Sequence, residues 1–417
     1  MTTSSSLPDI GSAVIAPPGT PRAGLSVRIS GLYLALYLHF GFFTFLPLWL
    51  AATGAPPGEI GMLMAIPLML RLVTVAPFSA WAGRTGRVRN AITVTALGSA
   101  ALITLLLGQP DHLGRILIVI AFSITWDQIP VLTDAYAVMA VRRDGLDFGR
   151  LRVWGSIGAV VSSAAAGWVF DLTGIAALPW LVAALLLLPA IVALLLPSDR
   201  RTADVAASAA GNWRQVVGDR TLMRLIVAAA LVMASHGVLT SFGAIQWSGR
   251  GISTGTIGVI QAVAVSAEIV AFWFGSKLLG QRDPGVMIWM AGCVAILRWL
   301  VMAGDPPAAV LLVVQLMQGV TATGAILGTM LVIAKRVPLV SSAAAQGLNA
   351  VLLGLALAMT TAGSGLLWQR GAATAYLAMA ALAVLAVALA WPRTFRRDDE
   401  AASATVPGRS TAFPERS

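Results

Sequence analysis

Five charged residues lie inside long apolar stretches of the sequence, which makes them candidates for binding or proton transfer. They are Arg71, Asp127, Asp134, Glu268 and Arg298. A charged side chain inside a membrane span costs about 2.5 to 3.5 kcal/mol on insertion scales, so such residues usually face a cavity or a partner. A carboxylate in a low-dielectric site also takes up a proton more readily than in water. We therefore expect each of these side chains to face a cavity or a partner, and we regard the acidic residues as candidates for binding protons or polar solutes.

The composition places these stretches in a lipid bilayer. Of the 417 residues, 58% are hydrophobic and 11% are charged, and the mean hydropathy is +0.83. A soluble domain has roughly 25% charged residues, and a soluble chain this apolar would expose large hydrophobic patches. The formal net charge of +10 is dispersed over short loops. This dispersion disfavours nucleic-acid binding, which requires a clustered basic face.

The sequence has no pattern typical of a metal, nucleotide or catalytic site. It contains a single cysteine, Cys293, and no pair of histidines at i,i+4 spacing, so we expect neither a disulfide nor a metal site. A Gly-rich phosphate loop with a following lysine is also missing, and ATP is therefore not expected to drive the protein. We predict no cofactor and no enzymatic activity, since no His/Asp or Ser/Lys constellation lies within one helix.

Twelve apolar windows of about 20 residues, the length that crosses a hydrocarbon core of about 30 Å, fit along the chain. They cover residues 29–52, 59–82, 88–108, 113–141, 149–170, 176–197, 221–247, 255–279, 285–303, 308–334, 342–368 and 372–392. The sequence thus predicts an all-α membrane protein with twelve transmembrane helices.

The lysines and arginines orient these helices. Of the 28 such residues, all but five lie on the same side of the windows as the two termini. The exceptions are Arg71 and Arg298 within windows, and Arg115, Arg250 and Arg370 on the other side. Because short cytoplasmic loops retain an excess of Lys and Arg, we predict that both termini are cytoplasmic.

A polar linker divides the windows into two groups of six. We predict a disordered cytoplasmic tail, a six-helix bundle, a cytoplasmic linker, a second six-helix bundle and a second disordered cytoplasmic tail, at residues 1–28, 29–197, 198–220, 221–392 and 393–417. The tails are rich in polar residues, Pro, Gly and Ser, a composition that does not support a packed core.

An internal repeat relates the two halves. The segment WLAATGAPPGEIG at 49–61 matches WSGRGISTGTIG at 247–258, and in each the final Ile-Gly opens the next helix. Such parallel repeats are common in transporters. Counting ten residues onward from the final Gly of each segment leads to Arg71 and Glu268. The repeat therefore places charges of opposite sign at matching points of helices 2 and 8.

Four features carry a resemblance to known transporters. They are PVLTDA at 130–135, DFGRLRVWG at 147–155, ASHGVLTSFGAIQW at 234–247 and the combination of Glu268 with Arg298. With these features the chain resembles the major facilitator superfamily, and within it the branch of phenylpropionate permeases and oligosaccharide:proton symporters. The resemblance implies two six-helix bundles that give alternating access to a central site. It also implies that Asp134 and Arg152 form an acid/base pair there.

Two departures from this family pattern affect the predicted coupling. The segment SAWAGRTGRV at 79–88 has Gly83 where the superfamily signature between helices 2 and 3 has an aspartate. In helix 10, Gln318 and Thr321 stand where the sugar symporters have the His and Glu used in proton coupling. Any proton coupling must therefore use another carboxylate.

Glu268 and Asp127 are the candidates for proton coupling. We predict substrate-binding or gating roles for Asp134, Arg152, Arg298, His39, His236, Trp49 and Gln318. Asp127 and Asp134 are seven residues apart and should share one face of helix 4, with Pro130 opening the backbone between them. Arg298 is expected to pair with Glu268 or to receive a substrate carboxylate.

Structural alternatives exist for most of these residues. Asp134 and Arg152 would form a purely structural salt bridge, and Glu268 and Arg298 a permanent buried pair. The two histidines would be hydrogen-bonded packing residues rather than proton relays.

Aromatic residues would supply stacking walls for a substrate; they are Trp49, Tyr136, Trp154 and Trp247.

The predicted function is proton-coupled symport of a small organic solute by alternating access, with aromatic acids such as 3-phenylpropionate favoured through the resemblance. The alternatives are symport of a sugar or nucleoside with protons, and efflux of drugs or metabolites by antiport. We expect a monomer whose partners are a small-molecule substrate, protons and the lipid bilayer. The Arg-rich, Lys-poor composition is typical of a bacterial chain, which predicts the cytoplasmic (inner) membrane.

Overall fold

A computed structural model of the protein describes residues 23–198, 213–279 and 283–391. The regular secondary structure in these ranges is entirely helical. Twelve of the helices are long and apolar enough to cross a membrane. This confirms the prediction of an all-α protein with twelve spans. Residues 393–417, predicted as a tail, lie outside the described residues.

The twelve spans follow one another with short connections. They are α1 (Gly24–Ala52), α2 (Pro57–Thr85), α3 (Val88–Gly108), α4 (His112–Asp144), α5 (Phe148–Thr173), α6 (Ile175–Leu194), α7 (Arg220–Gly249), α8 (Thr254–Gly275), α9 (Pro284–Ala303), α10 (Ala308–Arg336), α11 (Ser341–Trp368) and α12 (Ala372–Leu389). Helix α8 continues to Leu279, and α11 begins its helical turns at Leu339.

Two segments predicted as irregular contain helix. The first helix of α1 is Ala23–Leu38, so it begins inside the predicted N-terminal tail. A short helix, Trp213–Gly218, lies inside the predicted linker. The apolar windows begin where hydrophobicity begins, whereas a helix extends into polar sequence as far as its caps allow.

Acidic N-caps and left-handed glycines fix several of the loop boundaries. Asp111, Asp147 and Asp219 each accept a hydrogen bond from a backbone N–H in the first turn of the helix that follows. Such a cap satisfies one of the free N–H groups at a helix start. Gly86 and Gly145 end α2 and α4 in the left-handed region, at φ +63° and +67°, where glycine carries no Cβ penalty.

Three spans are interrupted near their middles. Helix α1 consists of Ala23–Leu38, Phe40–Phe43 and Leu46–Ala52, with the first break at His39. Helix α7 breaks at Ser235 and His236, between Arg220–Ala234 and Gly237–Gly249. Discontinuous helices often line the central sites of transporters.

The third interruption lies in α4, within one turn before Pro130. The break is at Asp127, between His112–Trp126 and Gln128–Asp144, and Pro130 lies inside the second of these helices. Asp127 is buried, with 4% of its surface exposed, whereas 44% of the Asp134 side chain is exposed. The two carboxylates therefore occupy different environments, although their spacing predicted a shared face.

Helix packing follows the predicted repeat. Within the first six spans, α1 packs on α5 and α3 packs on α6; within the last six, the equivalent helices pack in the same way, α7 on α11 and α9 on α12. Between the halves, α2 packs on α11 and α5 packs on α8. Glycines lie where the helices of these pairs approach closely. A Cβ at these positions would collide with the backbone of the partner helix.

The two repeat glycines hold equivalent places at these interfaces. A Cβ on Gly61 of α2 would lie 2.9 Å from the Thr361 carbonyl oxygen of α11. On Gly258 of α8 it would lie 2.7 Å from the Ser163 carbonyl oxygen of α5. Both contacts are near the end of the molecule that is formed by the short loops between α1 and α2 and between α7 and α8. We call this the loop end, and the opposite end, where the chain enters α1 and leaves α12, the terminal end.

Toward the terminal end the same interface helices become exposed. Val73 of α2, Trp154 of α5, Trp273 of α8 and Val351 of α11 are all exposed. Each lies farther from the loop end than the glycine contacts on its own helix. The glycine contacts between the halves thus lie on the loop-end side of these exposed residues.

Candidate functional site

The first half presents a cluster of four polar side chains from α1, α4 and α5. The Tyr33 hydroxyl donates a 2.7 Å hydrogen bond to Asp134 Oδ1, and Arg152 Nη2 donates one of 2.7 Å to the Tyr37 hydroxyl. Arg152 Nε lies 3.7 Å from Asp134 Oδ1. The Arg152 guanidinium also lies 4.7 Å from the centre of the Tyr37 ring. The structure thus brings the predicted pair together and adds two tyrosines that the sequence did not single out.

This pair is loose and accessible. A charge-assisted N–H···O bond is ordinarily about 2.7 to 2.9 Å long, which is well below the 3.7 Å between Arg152 Nε and Asp134. The side chains are 34% and 44% exposed, respectively. Both groups are therefore accessible to a polar solute and keep capacity for further hydrogen bonds.

The second half holds a chain of polar groups from α8, α9 and α10. Gln318 Nε2 donates a 2.6 Å hydrogen bond to Glu268 Oε1, and Arg298 Nη1 donates to Gln318 Oε1. Arg298 Nη2 donates a 2.7 Å bond to Gln315 Oε1. No direct ion pair joins Glu268 and Arg298 among the described residues, because the Gln318 amide lies between them.

Arg298 is enclosed by its surroundings. None of its surface is exposed, its guanidinium lies 4.7 Å from the centre of the Trp299 ring, and two amide oxygens accept its hydrogen bonds. A solute outside the protein surface does not reach it in this conformation. The geometry therefore does not support the expected role of Arg298 in receiving a substrate carboxylate. It does show that Arg298 is linked to Glu268 through Gln318.

The two histidines lie at the helix breaks and are buried. Trp126 Nε1 donates a 2.6 Å hydrogen bond to His39 Nε2. His236 Nδ1 lies 3.0 Å from the Val232 carbonyl oxygen, and its Nε2 lies 3.1 Å from Thr321 Oγ1. Both rings meet a tryptophan edge to face. These contacts match the packing role that was the structural alternative for the histidines.

Most of the predicted aromatic walls are also packing residues. Trp49 and Trp247 are buried in the outer segments of α1 and α7, which contact each other. Tyr136 is buried, and its hydroxyl donates to the Pro197 carbonyl at 3.0 Å. Trp154 alone of the four is exposed. The sequence did not show which helix faces these aromatic residues occupy.

Asp127 and Arg71 form a further charged pair in the first half, without direct contact. Asp127 Oδ2 is buried and has no hydrogen-bond partner in the described part of the chain. The carboxylate interacts electrostatically with Arg71 of α2. On the same side of α2, Thr74 Oγ1 accepts a 3.3 Å hydrogen bond from Gln128 of α4. Arg71 was recognised in the sequence as an intramembrane charge, but no role was predicted for it.

A polar contact between the halves closes the site toward the loop end. Thr44 Oγ1 of α1 donates a 2.6 Å hydrogen bond to Gln261 Oε1 of α8. Gln261 is seven residues before Glu268, so the two lie two turns apart on one face of α8. Farther out, Asp171 of α5 accepts hydrogen bonds from Thr254 Oγ1 and Gly255 N at the start of α8.

No cluster of three or more His, Cys, Asp or Glu side chains suited to a metal ion occurs within residues 23–198, 213–279 and 283–391. The site is built instead from arginines, carboxylates, amides and tyrosines. Such groups bind organic solutes and protons.

The sequence and the fold are similar to those of known transporters. The profile of the MFS_1 like family matches residues 26–378. The chain is 27% identical over 346 residues to the probable 3-phenylpropionic acid transporter of Escherichia coli, covering 81% of this chain and 89% of that protein. It is 27% identical over 351 residues to the maltose permease of Geobacillus stearothermophilus, covering 82% and 88%.

Solved structures agree with this similarity at the level of the fold. The nucleoside transporter NupG superposes with a TM-score of 0.77 at 16% identity, covering 90% of this chain and 99% of that chain. A bacterial homologue of the lysosomal transporter Spinster, in an inward-facing and unoccupied conformation, gives a TM-score of 0.70 at 14% identity, covering 90% and 98%. The protein is a multi-pass membrane protein of the MFS_1 like family, and its relatives are transporters of the major facilitator superfamily.

Proposed function

We propose that the protein is a proton-coupled symporter that imports an aromatic carboxylate, such as 3-phenylpropionate, across the bacterial inner membrane. The observation that carries the proposal is the state of Glu268, which is bonded to a neutral amide, Gln318, rather than to a cation. The similarity to the probable 3-phenylpropionic acid transporter of E. coli supports the substrate class.

The amide makes Glu268 suited to exchange a proton. An ionised Glu268 accepts the hydrogen bond from Gln318 Nε2, and a protonated Glu268 accepts the same bond on its carbonyl oxygen. Protonation therefore keeps the local geometry. A carboxylate in a bidentate ion pair with arginine would instead lose both charge-assisted bonds when protonated.

Alternating access follows from the two inter-half interfaces. Rocking of the halves about α2 with α11 and α5 with α8 would open the loop end while closing the terminal end. The contacts between Thr44 and Gln261 and between Asp171 and the start of α8 must break in that movement. With the termini cytoplasmic, as the arginine distribution predicts, these loop-end contacts lie on the external side of the membrane.

Symport of a sugar or nucleoside is the second candidate, and the cluster of Asp134, Arg152, Tyr33 and Tyr37 favours it. These four groups offer several donors and acceptors within a small region, which suits a polyhydroxylated solute. The chain is also similar to a maltose permease and shares the fold of a nucleoside transporter.

Substrate-induced proton movement separates these functions. De-energised cells producing the protein receive 3-phenylpropionate, other aromatic acids, sugars or nucleosides in turn, and the external pH is recorded. Vector cells measure passive entry of the protonated acid. We expect external alkalinisation above the vector level with aromatic acids only. Alkalinisation with a sugar or nucleoside would establish the second candidate, and no response to any solute would favour efflux instead.

A further inference from the structure

Arg71 differs from the other arginines near the middle of the membrane. Arg298 is buried with two amide partners, and Arg152 is held by Tyr37 and lies near Asp134. Arg71 is exposed and makes neither a hydrogen bond nor an ion pair among the described residues. A cation at this depth without a direct partner is costly, which leaves it available to an anionic ligand.

Its position in the repeat places Arg71 at the depth of Glu268. Helix α2 begins at Pro57 and α8 at Thr254, so each charged residue is the fifteenth of its helix. The glycines at the fifth position of these helices make equivalent contacts across the two inter-half interfaces. The two helices therefore run at matching levels, one in each half.

The side of α2 that carries Arg71 faces α4 of the first half, because Thr74, one turn away, accepts a hydrogen bond from Gln128. Its charge acts on the Tyr37 hydroxyl of α1 and on the Asp127 carboxylate of α4. Those two helices carry the breaks at His39 and Asp127. The Tyr37 ring also lies beneath the Arg152 guanidinium, so one tyrosine interacts with both arginines. This combination suits a ligand with a carboxylate and an aromatic ring.

The geometry points to Arg71 as the residue that binds the substrate carboxylate, while Glu268 at the same depth in the other half carries the proton. This inference rests on the proposed function and adds how charge is balanced in the empty and the loaded carrier. In the empty carrier Arg71 is a cation and Glu268 an anion, so the pair is neutral overall. In the loaded carrier the substrate carboxylate neutralises Arg71 and the proton neutralises Glu268. A carrier with only one of the two ligands keeps a net charge, which opposes its reorientation in lipid.

Binding of an acid and its amide tests this role directly. Purified protein is titrated with 3-phenylpropionate and with 3-phenylpropionamide, which has the same ring and chain but no charge. We expect the wild type to prefer the acid. Arg71→Gln should weaken acid binding by about 10-fold to 100-fold, the effect of losing a charge-assisted contact, and should leave amide binding nearly unchanged. Arg71→Lys should retain part of the preference, because its charge remains but its bidentate geometry is lost.

Arg370→Gln is the matched control, because Arg370 is exposed in the loop before α12, far along the chain from the charged cluster. It removes the same charge and should not change either affinity. An acid-to-amide ratio that stays at the wild-type value in Arg71→Gln would overturn the role of Arg71 while leaving the proposed function intact. Failure of the wild type to bind any aromatic acid would overturn the proposed function and this inference together.

Discussion

Replacing Asp171 with alanine should weaken the closure of the loop end. Asp171 Oδ1 accepts a 2.5 Å hydrogen bond from Thr254 Oγ1, and Oδ2 accepts one of 2.9 Å from Gly255 N. The carboxylate of one half thus caps the first turn of α8 in the other half. Its negative charge also interacts favourably with the helix N-terminus.

The size of the effect follows from these contacts. A hydrogen bond to a charged group contributes about 1.5 to 3 kcal/mol, and a charge at an exposed helix N-terminus contributes about 0.3 to 1 kcal/mol. Asp171 is exposed, so water replaces part of what is lost. We expect a net loss of about 2 kcal/mol, which shifts the equilibrium between the two conformations by about 30-fold. Asp171→Asn keeps one acceptor and should shift it less.

Distances between spin labels measure this equilibrium. Ala176 and Ala373 are exposed at the loop end in different halves, and Cys293 is the single native cysteine. Cysteines at 176 and 373 in a Cys293→Ser background can therefore be labelled specifically. Asp171→Ala should increase the population with a longer distance between the labels.

Thr173→Val is the matched control for this measurement. The Thr173 hydroxyl donates to the Val169 carbonyl within its own helix, so the substitution removes a polar group close to Asp171 without breaking a bond between the halves. Its distance distribution should match that of the parent. An unchanged distribution in Asp171→Ala, or an equal change in both variants, would refute the role of Asp171 in closure.

Three further predictions concern the interface, the terminal end and the charge balance. Gly258→Ala places a Cβ 2.7 Å from the Ser163 carbonyl oxygen and should lengthen the same label distance, whereas Gly275→Ala, with its nearest contact at 3.5 Å, should not. Asp219→Asn removes the negative charge and one of the two oxygens that accept hydrogen bonds from Arg336, at 2.9 and 3.3 Å, and should lower thermal stability at pH 7 by about 0.5 to 1 kcal/mol. Burial opposes ionisation of Asp219, but the Arg336 and backbone hydrogen bonds outweigh it and hold its pKa below the ordinary value. The stabilisation is therefore complete above the ordinary carboxyl pKa, and the difference from the variant should disappear as the pH falls through the lowered pKa. Finally, uptake of the acid into proteoliposomes should not respond to a potassium diffusion potential, since one anion enters with one proton; stimulation by an inside-positive or inside-negative potential would exclude that balance.

Hydrophobic length and repeated glycines made the architecture predictable from the sequence. Twenty-residue apolar windows have few alternatives to membrane spans, and the matching segments before Gly61 and Gly258 identified the two halves. Both glycines lie at inter-half contacts. A glycine at the same point of both repeats marks a place where two backbones approach closely, because a Cβ there would collide with the partner helix.

The detailed contacts of the site were less predictable. His39 and His236 occupy helix breaks although each keeps αR dihedral angles, so local propensity carries no signal for these two interruptions. The break at Asp127 lies three residues before Pro130, which lacks an N–H and disrupts the preceding turn. The partners of Arg298 depend on how α9 packs against α10. Gln315 and Gln318 were visible as a polar stripe at helical spacing, but only the packing shows that one of them lies between Arg298 and Glu268.

The central claim is that Glu268 couples transport to protons, and accumulation compared with exchange tests it most directly. Proteoliposomes containing the wild type, Glu268→Gln or Asp127→Asn are assayed for counterflow of labelled 3-phenylpropionate at equal pH, and for accumulation driven by an inside-alkaline pH gradient. We expect Glu268→Gln to retain counterflow and to lose accumulation, with the wild type performing both. Accumulation by Glu268→Gln at the wild-type level would contradict the claim, and loss of accumulation in Asp127→Asn alone would assign the proton to Asp127 instead.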